Sequence, residues 1–330
     1  MVSNLEKYLV DLVETICYLK KFTQDQPDKI LEDTKCYTSL ILLGKTLESS
    51  SDDINFDIFV QQRFDQVISN YLNEIFKIRL KVDFQTKIDW DIAETVCERN
   101  EILAQTFSYV IDITNEILGS SVEFCSLFVE NDGLRICLEF LADEAFLNKN
   151  EKVNILSRGD PVGLPNFLIM IVANLATKTC DQQKPKWKSL NTAEILLRVV
   201  EIIPETQFNS FSPLAYLLDD KQIETLFEQN EMKPILDALL SLLVKVSFDL
   251  RENDLDRQNI EISLKGNSIK CEIHHVDQGD GILASVYDIL GCLYKLALND
   301  SIKQVIYFDD KIKGCFKTIL EKGCLFIFLL

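Results

Sequence analysis

Histidine is nearly missing from this chain: His274 and His275 are the only two in 330 residues. Catalysis of the serine–histidine or cysteine–histidine type needs an imidazole to take the nucleophile's proton, so it would have to run through this one adjacent pair. The pair falls in a segment that reads as a strand. Neighbours there point to opposite faces and are poorly placed to share a metal ion. No GxSxG nucleophile elbow accompanies them. Glycine and proline are scarce as well, at 11 and 7 residues, which disfavours a sandwich, barrel or doubly wound sheet built on many tight turns. The glycine-bearing stretches DGLRICLEF and GDGILASV lack both the Gly-Lys-Ser/Thr ending of a phosphate loop and the three-glycine dinucleotide fingerprint.

Cysteine is present ten times but never as CxxC. Cys17, Cys97, Cys125, Cys137, Cys292 and Cys315 fall on apolar helical faces far apart in sequence. That places them as small core residues of a reducing compartment, not as disulfide partners. The opening MVSNLEKYLV has no basic start followed by a long apolar run, so no secretion signal is read and a cytoplasmic location is expected, with the nucleus left open.

Charge of one sign dominates. With 52 acidic against 34 basic residues the formal net charge is -18, which repels phosphate backbones and anionic lipid. Nucleic acid and membrane are therefore not expected as partners; a protein partner is, and the charge favours a basic one. Solubility alone also accounts for the excess. The acid pairs Asp52-Asp53, Asp219-Asp220 and Asp309-Asp310 could hold a cation, but read as helix starts, where aspartate caps free N–H groups and suits the macrodipole. No catalytic, cofactor-binding or metal-ligating residue is assigned from the sequence, and no residue is given a partner-binding role.

What the chain does have is helical periodicity. Hydrophobic residues make up 47%, enough for a large core. Leu5, Leu9, Leu12, Val13, Ile16 and Leu19 form one stripe of an opening helix over 3–21, and 29–47 repeats the pattern. After the polar break ESSSDD at 48–53, apolar residues from Phe56 to Phe76 mark a long helical pattern over 54–80. One or two helices are expected from Asp91, then a loop over 147–165 with turn signals at Gly159-Asp160-Pro161. A buried helix, FLIMIVANLATKTC, follows, then a lysine-bearing loop at 181–189. Asn191 and Thr192 are expected to cap the next helix, and Ser212 before Pro213 the one after the corner at 203–213. One segment departs from this period: 259–276 alternates apolar and polar residues around Gly266-Asn267, as a β-hairpin does.

Three phrases repeat loosely: FVENDGLRICLEFL from Phe128, FEQNEMKPILDALL from Phe227 and YFDDKIKGCFKTIL from Tyr307. Each joins one amphipathic helix to the next through a polar corner. In the first, Asp132 is expected to bond local backbone and Gly133 to take positive φ. Their starts lie 99 and then 80 residues apart, which suits pairs of helical repeats of about 40 to 47 residues. The last region adds an order of elements. Ile289, Leu293, Leu296 and Ala297 build a helix, Asn299-Asp300 end it, Ile302, Val305 and Ile306 form a short turn, and Ile312 to Leu320 build a third element.

This order resembles an armadillo repeat, and the resemblance extends over 91–322. It implies an all-α right-handed α-solenoid of armadillo or HEAT type, with residues 1–90 an irregular helical region continuous with it, 91–330 the repeats, and the hairpin an insertion. A non-enzymatic scaffold that binds a partner peptide or domain is the function implied. The chain departs from the nuclear-import members of that family, whose grooves carry Trp and Asn ladders, since only Trp90 and Trp187 occur. It departs from catenin-like grooves in being acidic. LALNDSIKQVIYFDD also looks like the helical regions that precede TIR domains in invertebrate signalling proteins. That likeness implies a regulatory arm of a larger enzyme, such as a TIR-domain NAD hydrolase, whose catalytic part is not in these residues. The final KGCLFIFLL is apolar but too short to span a bilayer; as a bare solenoid end it is expected to mark a truncated product.

Overall fold

The computed structural model describes residues 2–26, 29, 33–50, 56–81, 90–148, 156, 163–203, 206–229, 232–252, 256–264, 267–277 and 283–321. Contacts divide the chain into two compact units, Met1–Ser210 and Phe211–Leu330.

The first unit is helical: α1 Val2–Asp25, α2 Thr34–Ser50, α3 Asp57–Gln61, α4 Phe64–Lys81, α5 Trp90–Ser120, α6 Val122–Glu130, α7 Gly133–Ala142, α8 Gly163–Ser189, α9 Thr192–Ile202 and the start of α10 Gln207–Leu217. These helices stack in two rows. In one, α2 packs on α5 and α5 on α8; in the other, α1 packs on α4, α4 on α7 and α7 on α9. α5, which starts at Trp90, packs on α2 and α4 from the earlier stretch. A ring cluster joins the rows: Phe140 of α7 lies 4.9 Å from both Phe76 of α4 and Phe107 of α5, centroid to centroid. Edge and tilted ring pairs of this kind add to area burial.

One corner recurs three times. Arg63 (φ 54°), Asp132 (φ 65°) and Asn191 (φ 51°) are the non-glycine residues with left-handed backbone among the described residues. Each immediately precedes a helix of the second row, α4, α7 or α9. Four residues before each stands an aromatic side chain, Phe59, Phe128 or Trp187, with at most 1% of its surface exposed. A left-handed residue ends one helix and redirects the chain into the next. Outside glycine it costs roughly 1–2 kcal/mol, which burial of a large ring, at about 1.5–3 kcal/mol, offsets. The following helix then seats the same register in the core: Val67, Ile68, Tyr71 and Leu72 in α4; Ile136, Cys137, Phe140 and Leu141 in α7; Leu196 and Val199 in α9.

The second unit comprises the rest of α10, then α11 Asp220–Glu228, α12 Met232–Glu252, β1 Asp256–Leu264, β2 Asn267–Asp277, β3 Leu283–Ser285, α13 Val286–Leu296, α14 Asp300–Phe308 and α15 Asp310–Glu321. α12 packs on α11, α13 and α15. The strands form an antiparallel sheet in the order β1-β2-β3, and β2 contacts α12 and α13. The three repeated phrases coincide with α6–α7, α11–α12 and α14–α15. In each the first helix has 9 residues and a side-chain N-cap. Ser121 accepts from Phe124 N at 3.1 Å, Asp219 from Gln222 N at 3.0 Å, and Asn299 from Ser301 N and Ile302 N. These caps satisfy N–H groups the helix leaves free.

Several local expectations are corrected. The pattern over 54–80 is two helices, because Arg63 turns the chain between α3 and α4. In the Asp132–Gly133 corner the roles are exchanged: Asp132 takes positive φ, while Gly133 opens α7 where a Cβ would meet the Phe128 ring at 2.5 Å. Residues 181–189 are not a loop; α8 continues to Ser189 through a kink at Gln183. Asn191 precedes α9 but makes no side-chain cap, and Thr192 donates back to Trp187 O at 3.3 Å. Ser212 and Pro213 lie inside α10, and Ser212 Oγ sits 3.3 Å from Cys292 Sγ. The short turn over Ile302–Ile306 is part of α14, and Asn299 starts that helix instead of ending α13. Asn267, expected in the hairpin turn, pairs with Leu264 as the first residue of β2, while Gly266 lies outside the described residues. Cys17 is exposed, not core. The polar break read at 48–53 is helical over its first three residues, since α2 runs to Ser50; the expectations for 51–53, for Gly159-Asp160-Pro161 and for 322–330 lie outside the described residues, and Cys97 lies in α5 with its side chain outside them.

Gly133→Ala should destabilise the first unit by about 1–3 kcal/mol, because its methyl group must displace the Phe128 ring. Gly314, inside α15 with nothing within 4 Å of a Cβ, should give the opposite sign: Gly314→Ala should stabilise by roughly 0.5–1 kcal/mol. Urea denaturation of the two variants beside the parent chain measures both.

Candidate functional site

The acid pairs marked by the sequence lie, where described, at helix starts. Asp219 caps α11 with a reciprocal capping box. Asp309 accepts from Lys311 N at 2.9 Å and Ile312 N at 3.1 Å at the head of α15, and Asp310 pairs with Lys313 at 2.8 Å. Asp52 and Asp53 lie outside the described residues. His274 is in register with Arg257, and His275 with Asp256 and Ser285. Among the described residues no group of three or more His, Cys, Asp or Glu is placed to hold a metal, and no helix is long and apolar enough to cross a membrane.

A polar cluster lies between α1, α2 and α4. Tyr18 donates to Asp33 Oδ1 at 3.3 Å, Cys36 N donates to the same oxygen at 2.8 Å, and Lys35 Nζ stands 4.0 Å over the Tyr18 ring. The backbone N–H of Cys36 holds the Asp33 carboxyl below its usual range. Burial pushes the Cys36 thiol up to about 11 and the Tyr18 hydroxyl up to about 12, and raises Tyr71 well above the usual phenol range. At neutral pH the thiol and both hydroxyls are therefore protonated. The cluster holds no activated nucleophile, since nucleophilic cysteines need a lowered pKa.

The corners carry the charged contacts. The Asp65 side chain, in the first turn of α4, has no exposed surface; Arg63 Nε and Nη2 reach it at 3.2 and 3.3 Å, and Asn131 of the next corner donates to it as well. Carboxylates are well placed at helix N-termini. Two lysines of α8 do the converse at C-termini. Lys178 Nζ donates to Leu118 O and Gly119 O at the end of α5, and Lys186 Nζ to Val129 O and Glu130 O at the end of α6. An ammonium with three donors suits the free carbonyls there. Helix α8 can deliver Lys186 because its kink turns the last turn back, burying Trp187, whose Nε1 donates to Thr179 Oγ1 at 3.2 Å.

One open face remains. Gln105, Tyr109, Asp112 and Glu116 fall three or four residues apart along α5, on one stripe. Tyr37 of α2 meets it, donating to Gln105 Oε1 with its ring edge-on to Tyr109 at 6.4 Å. Asp112 and Glu116 are exposed, both tyrosines are half-buried, and Leu42 is 53% exposed. Toward α8, Asn115 Nδ2 donates to Phe167 O at 3.2 Å. The face thus sets two amphipathic rings beside two exposed carboxylates. Its tyrosines gave no signal in sequence, because nothing there placed α2 against α5. No family model, curated protein or solved structure matches this chain.

Burial pushes the Cys125 thiol to about 11 and Cys137 to about 12, from an ordinary 9.0. A raised folded-state pKa gives stability that is present below the ordinary thiol pKa and is lost as pH climbs toward the folded value. Urea midpoints should therefore fall between about pH 9 and 12, with the slope lessened in Cys137→Ala after allowance for its lower starting stability.

Proposed function

We propose that this chain is a non-enzymatic protein-interaction scaffold of armadillo-like helical-repeat type, binding a basic peptide or domain on the face of α2 and α5. The observation that carries the reading is the threefold corner at Arg63, Asp132 and Asn191. The corner sets successive helices into a row and leaves the companion row of α2, α5 and α8 to present a side-chain surface. Repeat stacks use such surfaces for extended recognition. The net charge of -18 and the Asp112–Glu116 stripe favour a positively charged partner through steering. Binding of this kind needs no nucleophile, which accords with the protonated Cys36, Tyr18 and Tyr71.

The test is affinity capture from the native cytosol at low and moderate salt, comparing the parent chain with the double variant Asp112→Lys, Glu116→Lys. A discrete partner should be retained by the parent at low salt, released as salt rises, and lost from the variant at both. A partner held equally by both chains would place the binding surface elsewhere. Tyr109→Ala should weaken the same partner about tenfold while leaving helix content unchanged, on the scale of an interface aromatic worth roughly 1–2 kcal/mol.

A further inference from the structure

Three of the ten large apolar side chains that stand well exposed among the described residues belong to the nine residues of α14: Val305 (40%), Tyr307 (67%) and Phe308 (74%). Ile302 anchors the opposite side of that helix in the core. Val305 and Phe308 are one turn apart, and the Tyr307 and Phe308 rings meet edge-on at 5.4 Å. Concentrated aromatic exposure of this kind marks an interaction surface.

The charges on either side of the patch indicate its occupant. From Asp300 to Glu321 the acidic side chains are Asp300, Asp309, Asp310 and Glu321, and they are balanced by Lys303, Lys311, Lys313 and Lys317. The region is thus neutral in a chain whose net charge is -18. It gives a charged partner no steering, and it is a place where two copies of an acidic chain can meet without local repulsion. The order of the charges matters more than their sum. Asp300 and Lys303, negative then positive, precede the apolar centre; Asp309 with Asp310, then Lys311 with Lys313, again negative then positive, follow it. Laid antiparallel against a second copy, this order sets Lys303 opposite Asp309 and Asp310 of that copy, and Asp300 opposite its Lys311 and Lys313. Laid parallel, like meets like. A surface that complements its own reverse is what a two-fold interface requires. The contacts within one copy do not stand in the way. Asp300–Lys303 at 3.9 Å and Asp310–Lys313 at 2.8 Å are exposed pairs, which contribute little and can exchange partners. Asp309 accepts from Lys311 N and Ile312 N at the head of α15 and stays exposed.

We propose that the α14 face is a two-fold interface between two copies of this chain, with Val305, Tyr307 and Phe308 of each copy at its centre and Lys303 facing Asp309 and Asp310 of the other. One short helix and its flanks make a small contact of the transient class, below about 1,200 Å², so association sets in at concentrations on the order of 10–100 μM. The two-fold uses up the patch on both copies, and assembly stops at two. None of this rests on the α2–α5 face of the first unit.

Sedimentation velocity on the full 330-residue chain, from about 1 to 100 μM, should show monomer passing to dimer and no larger species. Phe308→Asp, at a 74% exposed site, should raise the dissociation constant at least tenfold with circular dichroism unchanged. Lys303→Asp should weaken the dimer about tenfold, because the two-fold makes each like-charge contact count twice. The double variant Lys303→Asp, Asp310→Lys, which exchanges the facing charges, should recover most of that loss. A parent chain still monomeric at the highest concentration would overturn the proposal, as would a dimer that Phe308→Asp leaves intact. A double variant no tighter than Lys303→Asp would overturn it too, and so would species that grow past two copies, the mark of a head-to-tail contact.

Discussion

The first unit depends on a left-handed residue that a buried ring makes affordable. Arg63, Asp132 and Asn191 each adopt a backbone that L-residues avoid, and each is held there from both sides. Behind it, an aromatic ring fills the core one turn back; ahead of it, a helix starts with its apolar stripe already facing inward. Neither side suffices alone. Without the ring the strained residue would relax, and without the following helix the ring would have no wall to pack against. At the middle corner this mutual fit is tight enough that the residue after the bend must be glycine, since Phe128 occupies the volume a methyl group would need.

Neighbouring corners are then coupled through polar contacts that run backward along the chain. Asn131 reaches the Asp65 carboxylate of the preceding corner, and Lys186 reaches the carbonyls that end α6. Each contact satisfies groups that a helix terminus leaves unpaired, so the helix ends need little help from solvent. The Phe76–Phe107–Phe140 ring cluster supplies the apolar counterpart, binding α4, α5 and α7 at one point. Polar and apolar contacts thus meet at the same helix ends and faces of the first unit.

Periodicity made the helices legible. The stripes of α1, α4, α9 and α12 and the three repeated phrases correspond to helices and corners, because amphipathic spacing reports which side of a helix is buried. What could not be read was the corner chemistry. Glycine at 133 suggested positive φ by its own freedom, yet its smallness serves the Phe128 ring and the strained backbone falls on Asp132. Residues 181–189 read as a loop because of their lysines, whereas Gln183 and Lys186 reach carbonyls of α6 from a continuing helix. The candidate face escaped for another reason. Tyr37 and Tyr109 lie 72 positions apart in sequence, and only the packing of α2 on α5 joins them.

The three corners of the first unit keep their local form while their spacing varies. From Arg63 to Asp132 is 69 residues and from Asp132 to Asn191 is 59, so the intervals drift while the four-residue step from ring to bend stays fixed. What recurs within the first unit is therefore a short local rule, an aromatic and a bend one turn apart. A ruler of constant period laid along the sequence would pass over it.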